Sequence, residues 1–401
     1  MVGDGVFHYA PDRHAIERRC ALGADFLPPD TLLIALTSIH WREAWKYGER
    51  AFRYCQHDLG HAIAAVDVAA SLVGWRAELL PDWSHDDIAR LTGIDRDEDF
   101  VEAEREEPAC LLAVSREPAR VDRAALVGAA QRGMWTGRAS QLSEDHVQWT
   151  FIDEIAEVTR GSSVPSRRAR PARPESPARP AHPASLLIQR RSALAFDGRS
   201  RLERDRFFEM LRRVMPDGSP VFDALWWRPC VHLALFVHRV EDVEPGLYLL
   251  AREDASGARL RAALKADFLH ERIDAALPLS LLVRGDARPA AATVSCHQDI
   301  AADGFFSLGM IAEFESSLEE YGAPFYRQLF WECGVIGQIL YLEAEAAGAR
   351  ATGIGCFFDD PVHDLLGLSG HAFQSLYHFT VGMPVADVRL TSAPGYDWEI
   401  T

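Results

Sequence analysis

Residues 47–94 read YGERAFRYCQHDLGHAIAAVDVAASLVGWRAELLPDWSHDDIARLTGI. Shifted by 274 positions, they lie without a gap over residues 321–368, YGAPFYRQLFWECGVIGQILYLEAEAAGARATGIGCFFDDPVHDLLGL. Eleven of the 48 positions are identical: Tyr47/Tyr321, Gly48/Gly322, Arg53/Arg327, Gly60/Gly334, Ala70/Ala344, Gly74/Gly348, Arg76/Arg350, Ala77/Ala351, Asp86/Asp360, Leu91/Leu365 and Gly93/Gly367. A self-match at one fixed shift marks two copies of one supersecondary unit. A weaker echo pairs GVFHY (5–9) with GLYLL (246–250). Each copy reads as a long helix, over 42–73 and 316–347, closed by a glycine at 74 or 348. A strand-like or loop segment follows, then a short helix ending in LTGI or LLGL.

Between the copies, residues 161–183 (GSSVPSRRARPARPESPARPAHP) carry Pro, Arg, Ser and Ala without apolar periodicity. Such a stretch buries too little surface to offset its ordering entropy and is expected to be a linker. It separates an N-terminal copy (1–160) from a C-terminal copy (184–401). CVHLALFVHRV (230–240) and YHFTVGMPV (377–385) are rich in β-branched and aromatic residues and read as strands. Helices around a small sheet make the expected class α+β.

Composition limits the partners. The chain has 401 residues, a net charge of −17 and 48% apolar residues, which is ordinary for a globular chain and unlike a nucleic-acid binder. A local arginine pocket for a phosphate-bearing cofactor is still compatible with that charge. The seven cysteines are scattered, odd in number and never spaced CxxC, which reads as reduced cytoplasmic thiols. No apolar run is long enough to span a membrane.

Four stretches could carry chemistry. HDLGH (57–61) spaces His57 and His61 as two zinc ligands would be spaced on a helix. Their counterparts in the other copy are Trp331 and Val335, however, so packing is the favoured reading and no metal is expected. In SLLIQRRSALAFDG (185–198), Arg190, Arg191 and Ser192 offer adjacent guanidiniums and a hydroxyl to an oxyanion. In ATGIGCFFDD (351–360), Gly353, Ile354 and Gly355 let backbone amides approach a flat ligand, whereas the N-terminal copy has AELLP there. Lys46 and Tyr47, with Arg50 and Arg53 nearby, could move a proton if burial lowers the ammonium pKa.

These residues together resemble the FMN-dependent nitroreductase superfamily, through RRSALAFD, ATGIGCFFDD and VGMPVADVR. WREAWKYGERAFRYCQHDLGHA and HYAPDRHAIERR are similar to its SagB-type dehydrogenases, which include azoline oxidases of thiazole/oxazole-modified peptide pathways. The resemblance implies two nitroreductase-like copies forming a tandem pseudo-dimer, the first incomplete at its N-terminus, with FMN as cofactor. It implies that Arg190, Arg191 and Ser192 hold the FMN phosphate and ribityl chain with Arg389 as a second phosphate contact. The amides of Gly353, Ile354 and Gly355 would line the isoalloxazine. Lys46 and Tyr47 would remove a proton as hydride passes to flavin N5. Leu194 stands where the family usually has Arg or Lys, and the first copy has no RRS counterpart, which leaves at most one flavin site per chain. The substrate would be a small molecule or a modified peptide, without nucleic acid or membrane, and further oligomerisation is open. A flavin-less pseudo-dimeric scaffold or binding protein is the rival expectation.

Overall fold

The structure is a computed structural model that describes residues 5–23, 26–161 and 183–391. The expected linker over 161–183 therefore lies almost entirely outside the described residues. The N-terminal half contains β1 (Gly5–Ala10), β2 (Ala15–Ala21), β3 (Thr31–Ser38), α1 (Trp41–Tyr47), α2 (Ala51–Leu72), β4 (Arg76–Leu79) and α3 (His85–Thr92). It continues with β5 (Glu107–Ser115), α4 (Arg123–Arg132), β6 (Met134–Trp135) and α5 (Thr150–Val158). The C-terminal half opens with α6 (Ala184–Gln189), α7 (Arg204–Arg213), β7 (Val231–Val237), β8 (Gly246–Leu250) and α8 (Asp254–Ala263). Then come β9 (Glu271–Arg272), β10 (Leu279–Arg284), α9 (Arg288–Val294), α10 (Ile300–Asp303) and β11 (Phe306–Glu313). It closes with α11 (Glu315–Tyr321), α12 (Phe325–Ala346), β12 (Arg350–Ile354), α13 (Asp359–Leu366) and β13 (Phe373–Gly382).

The fold is α+β and holds two copies of one unit. With the same shift of 274, α1 falls on α11, α2 on α12 and α3 on α13, each at matching boundaries. The three-stranded sheet β3-β5-β4 corresponds to β11-β13-β12, one end of a seven-stranded antiparallel sheet ordered β12-β13-β11-β7-β8-β10-β9. That sheet is larger than the sequence suggests, because among the described residues β7 to β10 have no counterpart in the first half and extend it. The echo at 5–9 and 246–250 is strand in both places, but β1 belongs to a separate sheet, β1-β2-β6.

The expected helix over 42–73 is two helices. Gly48 has φ 57° and Gly322 has φ 87°, a left-handed backbone that a right-handed helix cannot continue. Gly74 and Gly348, and Gly93 and Gly367, likewise take positive φ at helix ends. The repeat thus preserves glycine wherever the chain must reverse.

The halves join through α2 and α12, which cross face to face. One hydrophobic core runs through the crossing, uniting Leu59, Ile63 and Val68 with Phe330, Val335 and Ile339. Buried polar groups cross it in pairs: Trp331 Nε1 donates to Gln56 Oε1 at 2.9 Å, and His57 Nε2 to the Leu376 carbonyl at 3.0 Å. Among the described residues no helix is long and apolar enough to cross a membrane.

Candidate functional site

β12 is the outer strand of the large sheet, so one of its edges has no strand beside it. In an antiparallel ladder alternate residues turn their N–H and C=O toward the partner strand, and the rest turn to the edge. Ala351, Gly353 and Ile354 lie opposite Val381, Phe379 and His378 of β13, and the Ala351 C=O and Gly353 N–H bond away from that strand. Ala351 accepts the Ala193 N–H at 3.1 Å, which anchors the Arg190–Ser192 segment alongside the strand. Gly353 N–H donates to Tyr341 Oη at 3.0 Å, and the same oxygen lies 3.0 Å from Ser192 Oγ. The Gly355 carbonyl accepts from Arg50, which comes from the other half, at 3.4 Å.

Thus the structure brings Arg190, Ser192 and Gly353 together around Tyr341, with Gly355 beside Arg50 and Tyr54. The Arg190 guanidinium sits 4.7 Å over the Tyr341 ring, and Arg191 donates to the carbonyls of Ile188 and Arg190. Neither arginine has a carboxylate partner among the described residues.

The glycines contact protein side chains directly. A β-carbon on Gly353 would lie 1.8 Å from Tyr377 Oη, and one on Gly355 would lie 2.4 Å from the Tyr54 ring. Their hydrogen-only faces are therefore covered by two tyrosines. The Gly353 N–H is engaged by Tyr341 Oη, and Ile354 lies opposite His378 of β13.

The N-terminal half supplies the opposite wall. Tyr47 and Tyr54 pack edge to face at 4.9 Å, and Lys46 Nζ lies 4.9 Å over the Tyr47 ring. Lys46 is exposed, and its bond to Tyr47 holds the ammonium above its ordinary pKa. The expected burial with a lowered pKa is therefore overturned, because α1 ends here at the surface. Arg389 is also exposed and is bound by its neighbour Asp387. The Val385 N–H joins the Ala195 carbonyl, so the segment before Arg389 runs toward Arg191 until a turn at Asp387 ends the pairing.

His57 and His61 form the floor. His57 stacks on the Tyr377 ring with centroids 4.0 Å apart, and burial lowers its pKa to about 3. His61 lies 3.3 Å from Tyr377 Oη and 3.1 Å from Gln338 Oε1, with its pKa lowered to about 4. Both are thus neutral hydrogen-bonding groups bound to Leu376, Gln338 and Tyr377. Among the described residues no cluster of metal-ligating side chains occurs.

The arrangement occurs once. At the sister positions of Arg50, Tyr54 and His61 the second copy has Pro324, Gln328 and Val335. Arg327, the sister of Arg53, is buried beneath α5 and donates to Ala156 and Thr159. A cavity of about 670 Å³ opens elsewhere in the N-terminal half, lined by His40, Trp41, His146, Trp149 and Arg160, and includes none of these residues.

Residues 245–383 match the model of the Nitroreductase family. The C-terminal half therefore carries a nitroreductase-family domain. The whole chain is similar in fold to the crystal structure of a candidate nitroreductase from Anabaena variabilis, at TM-score 0.66 and 19% identity, covering 96% of this chain and 78% of that one. Looser likenesses cover about half of the chain. One is a candidate nitroreductase from Ralstonia eutropha, at TM-score 0.37 and 16% identity, covering 56% of this chain and 93% of that one. Another is the Escherichia coli microcin synthetase McbBCD with truncated pro-MccB17, at TM-score 0.36 and 19% identity, covering 58% and 87%. No curated protein matches. β8 through β13, with Gly353, Gly355 and Tyr377, lie within the nitroreductase-family domain, whereas Arg190–Ser192 precede it and Lys46–Tyr54 come from the other half.

Tyr54, Tyr341, Tyr377 and Gln338 were not expected from the sequence. Tyr54 follows Tyr47 by seven residues, two helical turns, which hints at a shared face. Tyr341 replaces Asp67 of the first copy, the same kind of asymmetry that draws attention to the glycines.

Proposed function

We propose that the chain is an FMN-dependent oxidoreductase of the SagB-type dehydrogenase kind, acting on a small molecule or a modified peptide. The observation that carries this reading is the convergence of Arg190 and Arg191, which have no carboxylate partner among the described residues, with Ser192, the edge of β12 and the tyrosines of the other half.

The donor set fits a phosphate: two guanidiniums and a hydroxyl, held against β12 by the Ala193–Ala351 bond. The ring end offers the Gly355 backbone and the Tyr47–Tyr54 pair. FMN, when bound, supplies two-electron hydride chemistry that no side chain of this protein can perform. Arg190 and Arg191 hold and neutralise the phosphate. Ser192 and Tyr341 fix the edge of β12, and Lys46 with Tyr47 stand where a substrate proton would be taken or given. Lys46 is protonated at neutral pH in its exposed position, so its part is that of an acid or a cation unless a bound substrate desolvates it.

The experiment is a visible spectrum of the purified chain. Flavin absorbance near one equivalent, lost in Arg190→Ala/Arg191→Ala with folding retained by circular dichroism, supports the reading. A colourless protein that added FMN does not reconstitute overturns it and leaves the pseudo-dimeric scaffold.

A further inference from the structure

Cys296 and Cys356 stand apart from the other cysteines. Cys20, Cys55, Cys110, Cys230 and Cys333 are all buried, whereas Cys296 is half-buried and Cys356 exposed. Their sulfurs lie 2.7 Å apart although the residues are 60 positions apart in sequence. Cys296 follows α9, and Cys356 follows the Gly353–Gly355 edge of β12.

The two turns that carry them are already stapled together. Phe358 N–H donates to the Val294 carbonyl at 2.9 Å, and Gln298 Nε2 donates to the carbonyls of Ser295, at 2.9 Å, and Cys356, at 3.1 Å. The rings of His297 and Phe358 meet edge to face at 5.7 Å. Ser295 is tied below to buried His378 at 3.0 Å. Cys296 and His297 both have left-handed φ, 55° and 56°, which side-chain-bearing residues adopt only when their surroundings impose it. That turn points Cys296 at Cys356. A disulfide needs the sulfurs at about 2.05 Å, so closure asks only a small adjustment of side chains already in place. Burial and the neighbouring Cys356 push the Cys296 thiol up to about 11, which suits it to the second, resolving step rather than to the first attack.

We propose that Cys296 and Cys356 form a thiol–disulfide exchange site for low-molecular-weight disulfides of the glutathione type. The Cys356 thiolate attacks one sulfur of RSSR, forming a mixed disulfide and expelling RS⁻. Cys296, losing its proton, then attacks Cys356 Sγ, forms the Cys296–Cys356 bond and expels the second RS⁻. Two protein thiols are oxidised by two electrons and RSSR is reduced to two RSH after protonation. Cys356 attacks first because it is the exposed partner, and Cys296 resolves.

The test uses the full reduced chain, incubated with oxidised glutathione, quenched by alkylation and digested for mass spectrometry. The expected result is loss of two hydrogens and a linked pair of peptides carrying Cys296 and Cys356, reversed by dithiothreitol. Closure should outpace modification of the five buried cysteines by about tenfold or more. Cys296→Ser should instead retain one glutathione on Cys356. Wild-type protein that keeps both thiols, or that keeps glutathione on Cys356 without closing, overturns the proposal. The wild-type cross-link stands whether or not the Cys296→Ser variant folds, and since it is read by mass it is independent of bound flavin.

Discussion

Gly60 and Gly334 sit back to back at the crossing of α2 and α12. A β-carbon built on Gly60 would come within 2.8 Å of the Gly334 Cα and 2.2 Å of the Trp331 carbonyl oxygen. One on Gly334 would come within 2.8 Å of the Gly60 Cα and 2.2 Å of the His57 carbonyl oxygen. The two sets of contacts are related by the internal repeat, since Gly60 corresponds to Gly334 and His57 to Trp331. The helices approach so closely that neither backbone leaves room for a methyl group.

Gly60→Ala and Gly334→Ala should therefore destabilise the chain by about 3 kcal/mol or more, at the upper end of overpacking costs. Alanine's better helix propensity, worth about 1 kcal/mol, is outweighed by a clash with backbone. Gly74→Ala gives the contrast: nothing lies within 4 Å of its β-carbon, and only its φ of 75° resists. Its cost should be about 1–2 kcal/mol. Urea unfolding midpoints measure both, and an unchanged midpoint for Gly60→Ala would remove the crossing from the account of how the halves join.

Gly353→Ala should couple to Tyr377→Phe. The new methyl meets Tyr377 Oη at 1.8 Å and Cζ at 2.7 Å, so removing the hydroxyl relieves the worse contact but leaves the ring. Each single change is expected to destabilise, the alanine by about 3 kcal/mol and the phenylalanine by about 1 kcal/mol through the lost His61 bond. The double variant should be less unstable than the sum by about 1 kcal/mol or more. Strict additivity would show that the glycine faces something other than this tyrosine.

Lys46 should titrate above its ordinary value of about 10.5, because its bond to Tyr47 favours the ammonium. NMR of carbon-13-methylated lysines can follow it, with Tyr47→Phe returning it toward the ordinary value. A Lys46 pKa near neutrality in the ligand-free chain would restore the picture of a buried base.

Acid should weaken the fold well above the carboxylate range. His57, His85, His232 and His378 are buried with pKa values lowered to about 3, and buried His238 to about 4. The unfolded chain takes up protons on these rings near pH 6.5, whereas the folded chain does not. Their contribution is complete above about pH 6.5 and is lost as pH falls from there toward the folded values. At pH 5.5 the loss is about 1.4 kcal/mol per buried histidine. Urea midpoints at pH 7.5 and 5.5 check it, and equal midpoints would mean that these rings are protonated within the fold.

The helices α1–α3 and α11–α13 are legible because their repeat is written in glycines, and glycine is retained where φ is positive or backbones touch. The break at Gly48 escapes the sequence pattern, since an apolar helical period continues on both sides of it. Arg190, Arg191 and Ser192 stand out as a cation pair with a hydroxyl. That neither arginine has a carboxylate partner among the described residues emerges only once the other acids have been placed. Tyr341 and Asp67 occupy sister positions and do the same work: Asp67 Oδ1 takes the Ala77 N–H at 3.1 Å, and Tyr341 Oη the Gly353 N–H. The longer tyrosine reaches farther along the strand and meets Ser192, an effect no residue spacing announces.

The sequence by itself determined that there are two copies, where their long helices end and which stretches are rich in cations and glycines. These are local matters of backbone conformation and residue type. The tertiary structure decided which faces meet. Tyr54 lies 301 positions from Gly355, and Tyr377 lies 316 from His61, so only the crossing of α2 over α12 puts them in contact. It also decided that HDLGH serves as a floor of neutral rings beneath the site, because burial against Tyr377 and Gln338 leaves those histidines no room for charge.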